Sequence, residues 1–205
     1  MAIMPGGAGR RCAVAVVLAS RVGFYAEGVV FNSLGSAQRH PRLQPPQGFS
    51  GGVIVSQSLA QIYLHIVFST KHRQPLLVDS VLRERTHAYL VGVCRNLESP
   101  SIRVGGVEDH VHILCCLSKV LSPSSLVREL KRESSKWIKE QSPDLANFYW
   151  QTGYGIFSLS HGHVPALTAY IANQENHHKA ETFKDEFLRL LELNGSDYDP
   201  EHLWD

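Results

Sequence analysis

The sequence has few cysteines, little net charge and no long apolar run, and each shortage argues against a class of protein. No apolar stretch approaches the roughly 20 residues that a membrane-spanning helix needs. The four cysteines lack C-x-x-C spacing, which disfavours a disulfide-stapled secreted module and favours reduced thiols in the cytoplasm. The 20 basic and 19 acidic residues leave a net charge of +1. The chain is therefore not a globally basic nucleic-acid binder, although a local basic face remains possible.

The 205 residues suit one domain with an extension, and the composition changes near residue 55. Residues 1–55 carry five arginines against one glutamate, are rich in glycine and proline, and lack a sustained helical or strand period. Ten of the eleven histidines lie in residues 56–205. We expect residues 1–55 to be a disordered extension or the product of a mis-assigned start, and residues 56–205 to form the functional domain. An export signal, from Arg10–Arg11 and the apolar CAVAVVLAS, and a functional disordered arm are the alternatives.

Hydrophobic periodicity and turn residues predict the element order β-α-β-β-α-β-α-α in residues 56–205. Strands are expected near 61–69, 102–107, 110–117 and 149–158, and helices near 79–97, 122–141, 164–179 and 181–193. The first six elements match the ferredoxin-like, split βαβ arrangement, an α/β sandwich with an antiparallel sheet. In that topology the first and third strands are central and two helices cover one face. The later helices are free to lie over the open face.

The segment His110-Val111-His112 places two imidazoles on the same face of the third strand, because strand side chains alternate. One cation can accept a nitrogen from each ring. Paired histidines on an open sheet face are also common without a metal, so this motif alone decides little.

A second motif lies on the following helix, where Tyr170 and Gln174 are four residues apart and share a face. A tyrosine can act as a covalent nucleophile when a metal polarises its target, and an amide oxygen suits Mg²⁺ or Mn²⁺. Together, the two histidines, the amide and the tyrosine supply what metal-assisted phosphodiester transfer requires. Simple packing of Tyr170 with a solvated Gln174 is the structural alternative.

Five segments make the sequence recognisable: YLHIVFSTKHRQPLL, GGVEDHVHILC, LVRELKRESSKWIKE, WQTGYGIFSLS and YIANQENHH. They resemble the single-tyrosine HUH transposases of small bacterial insertion sequences, in which HUH denotes His, a hydrophobic residue and His. The resemblance covers about residues 56–205, and residues 1–55 have no counterpart.

This resemblance implies roles for individual residues. His110 and His112 are the expected metal ligands, Gln174 the third ligand and Mg²⁺ or Mn²⁺ the cofactor. Tyr170 is the expected nucleophile, which attacks single-stranded DNA at hairpin-marked element ends and forms a 5′-phosphotyrosine link. Similar proteins are homodimers in which the tyrosine helix can complete the partner's site, so a homodimer is expected here.

Several side chains are less certain candidates. Lys71, Arg73, Lys131, Arg132 and Lys136 are expected to contact DNA phosphates, with a solvated helix face as the alternative for the last three. His178 follows Gln174 by four residues and is interpreted as a surface histidine rather than a further ligand. Two other functions stay open: a catalytically silent module that binds hairpin DNA or RNA, and a metal hydrolase that uses the HVH motif without the tyrosine.

Overall fold

The computed structural model describes residues 58–204, so the interpretation of residues 1–55 lies outside the described residues. Within 58–204 the sheet has four strands: β1 (Tyr63–Ser69), β2 (Ser101–Gly106), β3 (His110–Cys116) and β4 (Gly155–Leu159). Their order is β2-β3-β1-β4, and neighbouring strands are antiparallel. This confirms the predicted ferredoxin-like topology, with β1 and β3 in the centre.

Helices α1 (Ser80–Asn96) and α2 (Pro123–Lys139) begin where the sequence predicts, because polar side chains cap their first turns. The carboxylate of Asp79 accepts a hydrogen bond from the backbone N–H of Val81, and the Ser122 hydroxyl accepts one from Ser125. Pro123 occupies the first turn of α2, where its missing N–H costs nothing.

The main hydrophobic core lies between these two helices and one face of the sheet. Strand residues at alternate positions, such as Ile66, Phe68 and Ile113, pack there against Leu90 of α1 and Leu130 of α2. Cys94 and Cys115 are buried in the same cluster as free thiols, as expected for small apolar residues.

Three later helices follow the sheet: α3 (Val164–Ala172), α4 (Gln174–His177) and α5 (Phe183–Leu193). Leu167 and Ile171 of α3 pack on Leu114, and Phe187 of α5 packs on Val67. Leu114 and Val67 point away from the main core, so these helices cover the opposite face of the sheet. The predicted trailing helix therefore lies over the open face.

Two element boundaries differ from the sequence prediction. The single helix expected over 164–179 is interrupted at Asn173, whose backbone dihedrals (φ −102°, ψ 16°) end α3 and allow α4 to start afresh. The fourth strand begins at Gly155 rather than Tyr149, because the preceding aromatic segment joins the sheet only through an isolated bridge between Thr70 and Trp150. Among residues 58–204, no helix has the length and apolar character to cross a membrane.

Candidate active site

His110 and His112 project from β3 toward the face that α3 and α5 cover. Both side chains are fully buried, and their ring centroids lie 5.0 Å apart. The Nδ1 atom of His110 lies 2.6 Å from Asp109 Oδ1, and Nδ1 of His112 lies 2.9 Å from Nε2 of His65 on β1. Both rings are thus held at Nδ1, which leaves each Nε2 directed at a common point.

Helix α3 brings Tyr170 to this point because it approaches the sheet very closely. At Gly105 on β2, an added Cβ atom would lie 2.7 Å from the backbone oxygen of Ile171 on α3. The Tyr170 ring centroid lies 6.0 Å from that of His112. A glycine in the strand therefore determines how near the tyrosine comes to the histidines.

Gln174, at the start of α4, is buried and directs its amide oxygen into the same cluster. Its Oε1 lies 3.4 Å from His110 Nε2 and 2.9 Å from His178 Nε2. The structure thus brings together all four residues of the predicted catalytic and metal-binding set within one chain.

A residue that the sequence did not indicate lies at the centre of this cluster. Glu186, on α5, is fully buried, and its Oε1 accepts hydrogen bonds from the Tyr170 hydroxyl and, at 3.0 Å, from the Gln174 amide. Its Oε2 lies 3.4 Å from His112 Nε2, 3.6 Å from His110 Nε2 and 3.2 Å from His178 Nε2. One carboxylate therefore touches every member of the predicted set.

The electrostatics of the cluster follow from burial and from this carboxylate. Burial acts to raise the pKa of Glu186, but the neighbouring imidazoles of His112, His178 and His110 hold that pKa well below its usual range. Burial lowers the pKa of His112 despite the attraction of Glu186. Burial, reinforced by Glu186, raises the pKa of Tyr170 above its usual value, so a further group must help to generate a phenolate.

Arg189 supplies positive charge next to the tyrosine. Its guanidinium donates a hydrogen bond to the Tyr170 hydroxyl at 3.3 Å and is held in place by Glu181 at 2.9 and 3.0 Å. It opposes the rise in the pKa of Tyr170. His177 Nε2 lies 3.5 Å from the same hydroxyl. The hydroxyl of the nucleophile candidate therefore contacts Glu186, Arg189 and His177.

Sequence reasoning missed three of these residues and undervalued a fourth. Glu186 and Arg189 lie one helical turn apart on α5, and nothing local distinguishes them from other charged residues of an amphipathic helix. His65 is hidden in an apolar strand, where its alternation with Leu64 and Ile66 was the available signal. His178, interpreted as a surface histidine, has a side chain that is only 12% exposed and belongs to the cluster.

The predicted DNA-contacting residues have different surroundings. Lys71, Arg132 and Lys136 are exposed, and Arg132 pairs with two glutamates of its own helix. The Arg73 guanidinium lies over the Trp204 ring at 4.9 Å. The Lys131 amine donates to three backbone carbonyls, of residues 151, 152 and 153, at 2.6 to 3.2 Å and lies over two aromatic rings. Lys131 is therefore already engaged in holding the loop before β4.

The donor set fits a divalent cation. Four potential ligand atoms, one each from His110, His112, His178 and Glu186, lie within 4.8 Å of one another. His112 Nε2 and Glu186 Oε2 are buried and lack a hydrogen-bond partner among the residues that the structure describes. Unpaired buried polar atoms are costly, and a bound cation would satisfy both.

The chain is similar to known transposases. Residues 58–174, which are more than half of the chain, match the family model described as IS200-like transposase. A candidate transposase from Deinococcus radiodurans is 20% identical, with a TM-score of 0.45 over 62% of this chain and 98% of that one. A REP-associated tyrosine transposase bound to a REP hairpin is 14% identical, with a TM-score of 0.44 over 62% of this chain and 74% of that one. No curated protein matches the chain.

Proposed function

The chain belongs to the IS200-like transposase family, and we propose that it cleaves and rejoins single-stranded DNA at hairpin-marked element ends. In this proposal Tyr170 is the nucleophile, a 5′-phosphotyrosine is the intermediate, and a divalent cation is required. One observation is the main support for this proposal. The side chains of Tyr170, Gln174, His110 and His112 all contact the same buried carboxylate, that of Glu186.

The proposed reaction is a pair of phosphoryl transfers. The phenolic oxygen of Tyr170 gives up its proton and attacks the phosphorus, the P–O3′ bond breaks, and the leaving 3′ oxygen takes up one proton, so that the proton count is unchanged. The DNA segment on the 3′ side of the break stays attached to the tyrosine through its 5′-phosphate. A 3′-hydroxyl later attacks this link and restores both a phosphodiester and the free tyrosine. Because one phosphoester replaces another, no nucleotide hydrolysis is needed.

The residues of this chain prepare the nucleophile. Glu186 accepts the hydrogen bond of the Tyr170 hydroxyl and fixes its direction, while Arg189 donates to the same oxygen and favours the phenolate. His110, His112 and Gln174 would hold Mg²⁺ or Mn²⁺. When bound, such an ion polarises the scissile phosphate and stabilises the charge that develops on it.

DNA binding is proposed to involve the exposed basic side chains. Lys71, Arg73, Arg132 and Lys136 remain our candidates for phosphate contacts, since phosphate contacts position the strand without reading sequence. Lys131 also remains a candidate, but it would have to release the carbonyl groups that it now contacts. A homodimer, expected from the family resemblance, is part of the same proposal.

The test is a search for a covalent protein–DNA adduct. The full chain is incubated with Mg²⁺ or Mn²⁺ and single-stranded tiles of both strands that flank its own gene, and protein bands that survive SDS are examined. We expect a DNA-shifted band with the wild type and none with Tyr170→Phe, which should still fold and bind hairpins. Hairpin binding without any adduct would instead favour the silent binding module. An adduct with Tyr170→Phe would contradict the assigned nucleophile.

A further inference from the structure

Helix α5 lies beyond residues 58–174, the region that matches the family, yet it contributes the most buried acid of the site. Glu186 is 0% exposed, and its Oε2 lies 3.2 to 3.6 Å from the Nε2 atoms of three histidines. That oxygen has no hydrogen-bond partner within residues 58–204, and neither does His112 Nε2. A carboxylate oxygen and three imidazole nitrogens thus converge, and two of the four atoms are unsatisfied.

The three rings share an arrangement that is typical of metal-binding histidines, in which the other ring nitrogen is fixed by an outer partner. Nδ1 of His178 lies 2.8 Å from the backbone oxygen of Glu181, just as Nδ1 of His110 and of His112 have their own partners, Asp109 and His65. Every Nδ1 is engaged by an outer partner, so each Nε2 faces the centre, where those of His110 and His178 contact Gln174 Oε1 and that of His112 has no hydrogen-bond partner within residues 58–204. His178 therefore meets the same criterion as the two histidines of the HVH motif.

The distances between donors also suit a shared ion. Two ligand atoms that each lie about 2.1 Å from one cation are separated by roughly 3.0 to 3.5 Å when their directions differ by 90 to 110°. The separations of Glu186 Oε2 from the three imidazoles match this range to within about 0.1 Å. Gln174 Oε1, at 3.4 Å from His110 Nε2 and 2.9 Å from His178 Nε2, adds a fifth donor atom next to two of these imidazoles.

We propose that Glu186 and His178 bind the same cation as His110, His112 and Gln174, and that this donor set selects a first-row transition ion over Mg²⁺. The inference rests on the metal site of the proposed function. Three imidazoles are the reason for the selectivity, because imidazole suits transition ions whereas Mg²⁺ prefers oxygen ligands and retains its waters. A phosphate oxygen of the DNA would share the cation with these residues. Metal binding would also fasten α5 to the sheet.

The test measures metal binding to the full chain without DNA. Calorimetric titration with Mn²⁺ and with Mg²⁺ should give an affinity for Mn²⁺ that is at least about a hundredfold higher. Glu186→Gln keeps the shape of the side chain and should weaken Mn²⁺ binding by about tenfold or more. Glu192→Gln, an exposed acid on the same helix, is the matched control and should bind Mn²⁺ like the wild type.

Spectroscopy distinguishes a side chain that binds the metal ion directly from one that only places a charge near it. The visible absorption of bound Co²⁺ reports coordination, so it should change in Glu186→Gln and in His178→Asn. A weaker affinity with an unchanged Co²⁺ spectrum in both variants would overturn the assignment of ligands. Circular dichroism of the metal-free proteins checks folding, and His178→Asn provides the test if Glu186→Gln does not fold.

The metal-binding measurements and the covalent adduct report on different parts of the site. If the wild type binds Mn²⁺ and both Glu186→Gln and His178→Asn bind it equally well, only the roles of Glu186 and His178 are wrong. If Glu186→Gln also cleaved DNA faster than the wild type, the carboxylate of Glu186 would be occupying the position that the scissile phosphate needs. If the wild type binds neither ion, the inference is overturned together with the metal dependence, whereas the covalent adduct tests the tyrosine chemistry separately.

Discussion

At the scale of single residues, Arg189 offers a test of how Tyr170 is activated. Burial raises the pKa of Tyr170, and the guanidinium of Arg189, 3.3 Å from the hydroxyl, opposes that rise. Replacing the charge with an apolar chain of similar length, Arg189→Met, should slow adduct formation by about 10- to 100-fold, since removal of one donor to a developing oxyanion has effects of this order or larger.

The measurement is the single-turnover rate of adduct formation at saturating DNA. Arg95→Met, which removes an exposed arginine of α1, is the control and should react at the wild-type rate. Arg189→Lys keeps the charge and should retain part of the rate. Equal rates for Arg189→Met and the wild type would mean that the guanidinium does not assist the tyrosine.

The environment of His87 on α1 leads to a prediction about the stability of the folded protein in acid. Burial, together with the charge of Arg83, lowers the pKa of His87 from 6.5 to about 4. Between these pH values the unfolded chain binds a proton that the folded protein does not, so the fold loses stability as the pH falls. The loss from this residue should reach about 2–3 kcal/mol at pH 4.

Chemical denaturation at pH 7 and at pH 4 checks this prediction. His87→Gln removes the titrating group, and its free energy of unfolding should decrease less between the two pH values than that of the wild type. The same decrease in both proteins would show that His87 does not carry this part of the acid sensitivity.

Some residues of the candidate active site could be predicted from the sequence and others could not. His110 and His112 were predictable because strand alternation alone puts them on one face. Tyr170 and Gln174 also meet in the site, although the break at Asn173 places them on two helices rather than on the single helix that the spacing predicted. Glu186 was not predictable, since its place depends on how α5 returns over the sheet after the turn at residues 178–182. No periodic pattern in the neighbouring sequence indicates that α5 folds back over the sheet.

At the scale of elements, the contact between α3 and β2 depends on a glycine. A Cβ at Gly105 would lie 2.7 Å from the backbone oxygen and 2.8 Å from Cγ2 of Ile171. Backbone cannot yield as a flexible side chain can, so Gly105→Ala should push α3 away from the sheet and move Tyr170. We expect a loss of stability of about 1–3 kcal/mol and a larger, at least tenfold, loss of adduct formation.

Gly92→Ala in α1 is the matched control, because a Cβ there would meet nothing within 4 Å. Alanine is a better helix former than glycine, so this variant should gain about 0.5–1 kcal/mol and keep full activity. Thermal unfolding and single-turnover rates provide both comparisons. Wild-type stability and activity in Gly105→Ala would contradict the close approach of α3.

Element boundaries were predictable where a local side chain sets them and unpredictable elsewhere. Asp79 and Ser122 cap α1 and α2 at the expected positions. The interruption at Asn173 was missed because the apolar and polar pattern continues through it. The interruption matters, since it separates the helix that carries Tyr170 from the short one that carries Gln174.

At the scale of the whole molecule, the arrangement of the site within one chain predicts how mixed variants behave. Tyr170 and His112 of the same chain lie within one cluster, with ring centroids 6.0 Å apart. A mixture of Tyr170→Phe and His112→Ala should therefore remain inactive even if the protein is a dimer, because neither chain has a complete site. Recovery of adduct formation in the mixture would show that the tyrosine helix acts in the partner's site.

The global topology was the most predictable level. Hydrophobic periods gave the element order, and the ferredoxin-like arrangement then required β1 and β3 to be central and one face to be left for later helices. The packing of two successive helices on that face was not predictable in detail, because it depends on long-range contacts such as those of Phe187 with Val67.

Peptide mapping of the adduct shows whether Tyr170 is the residue that becomes covalently attached to DNA. The wild-type protein is reacted with its single-stranded DNA, digested with protease and nuclease, and analysed by mass spectrometry. We predict a nucleotide joined through its 5′-phosphate to the peptide that contains Tyr170. A nucleotide on any other of the seven tyrosines would contradict the assignment of Tyr170 as the nucleophile, and one attached through its 3′-phosphate would contradict the 5′-phosphotyrosine intermediate.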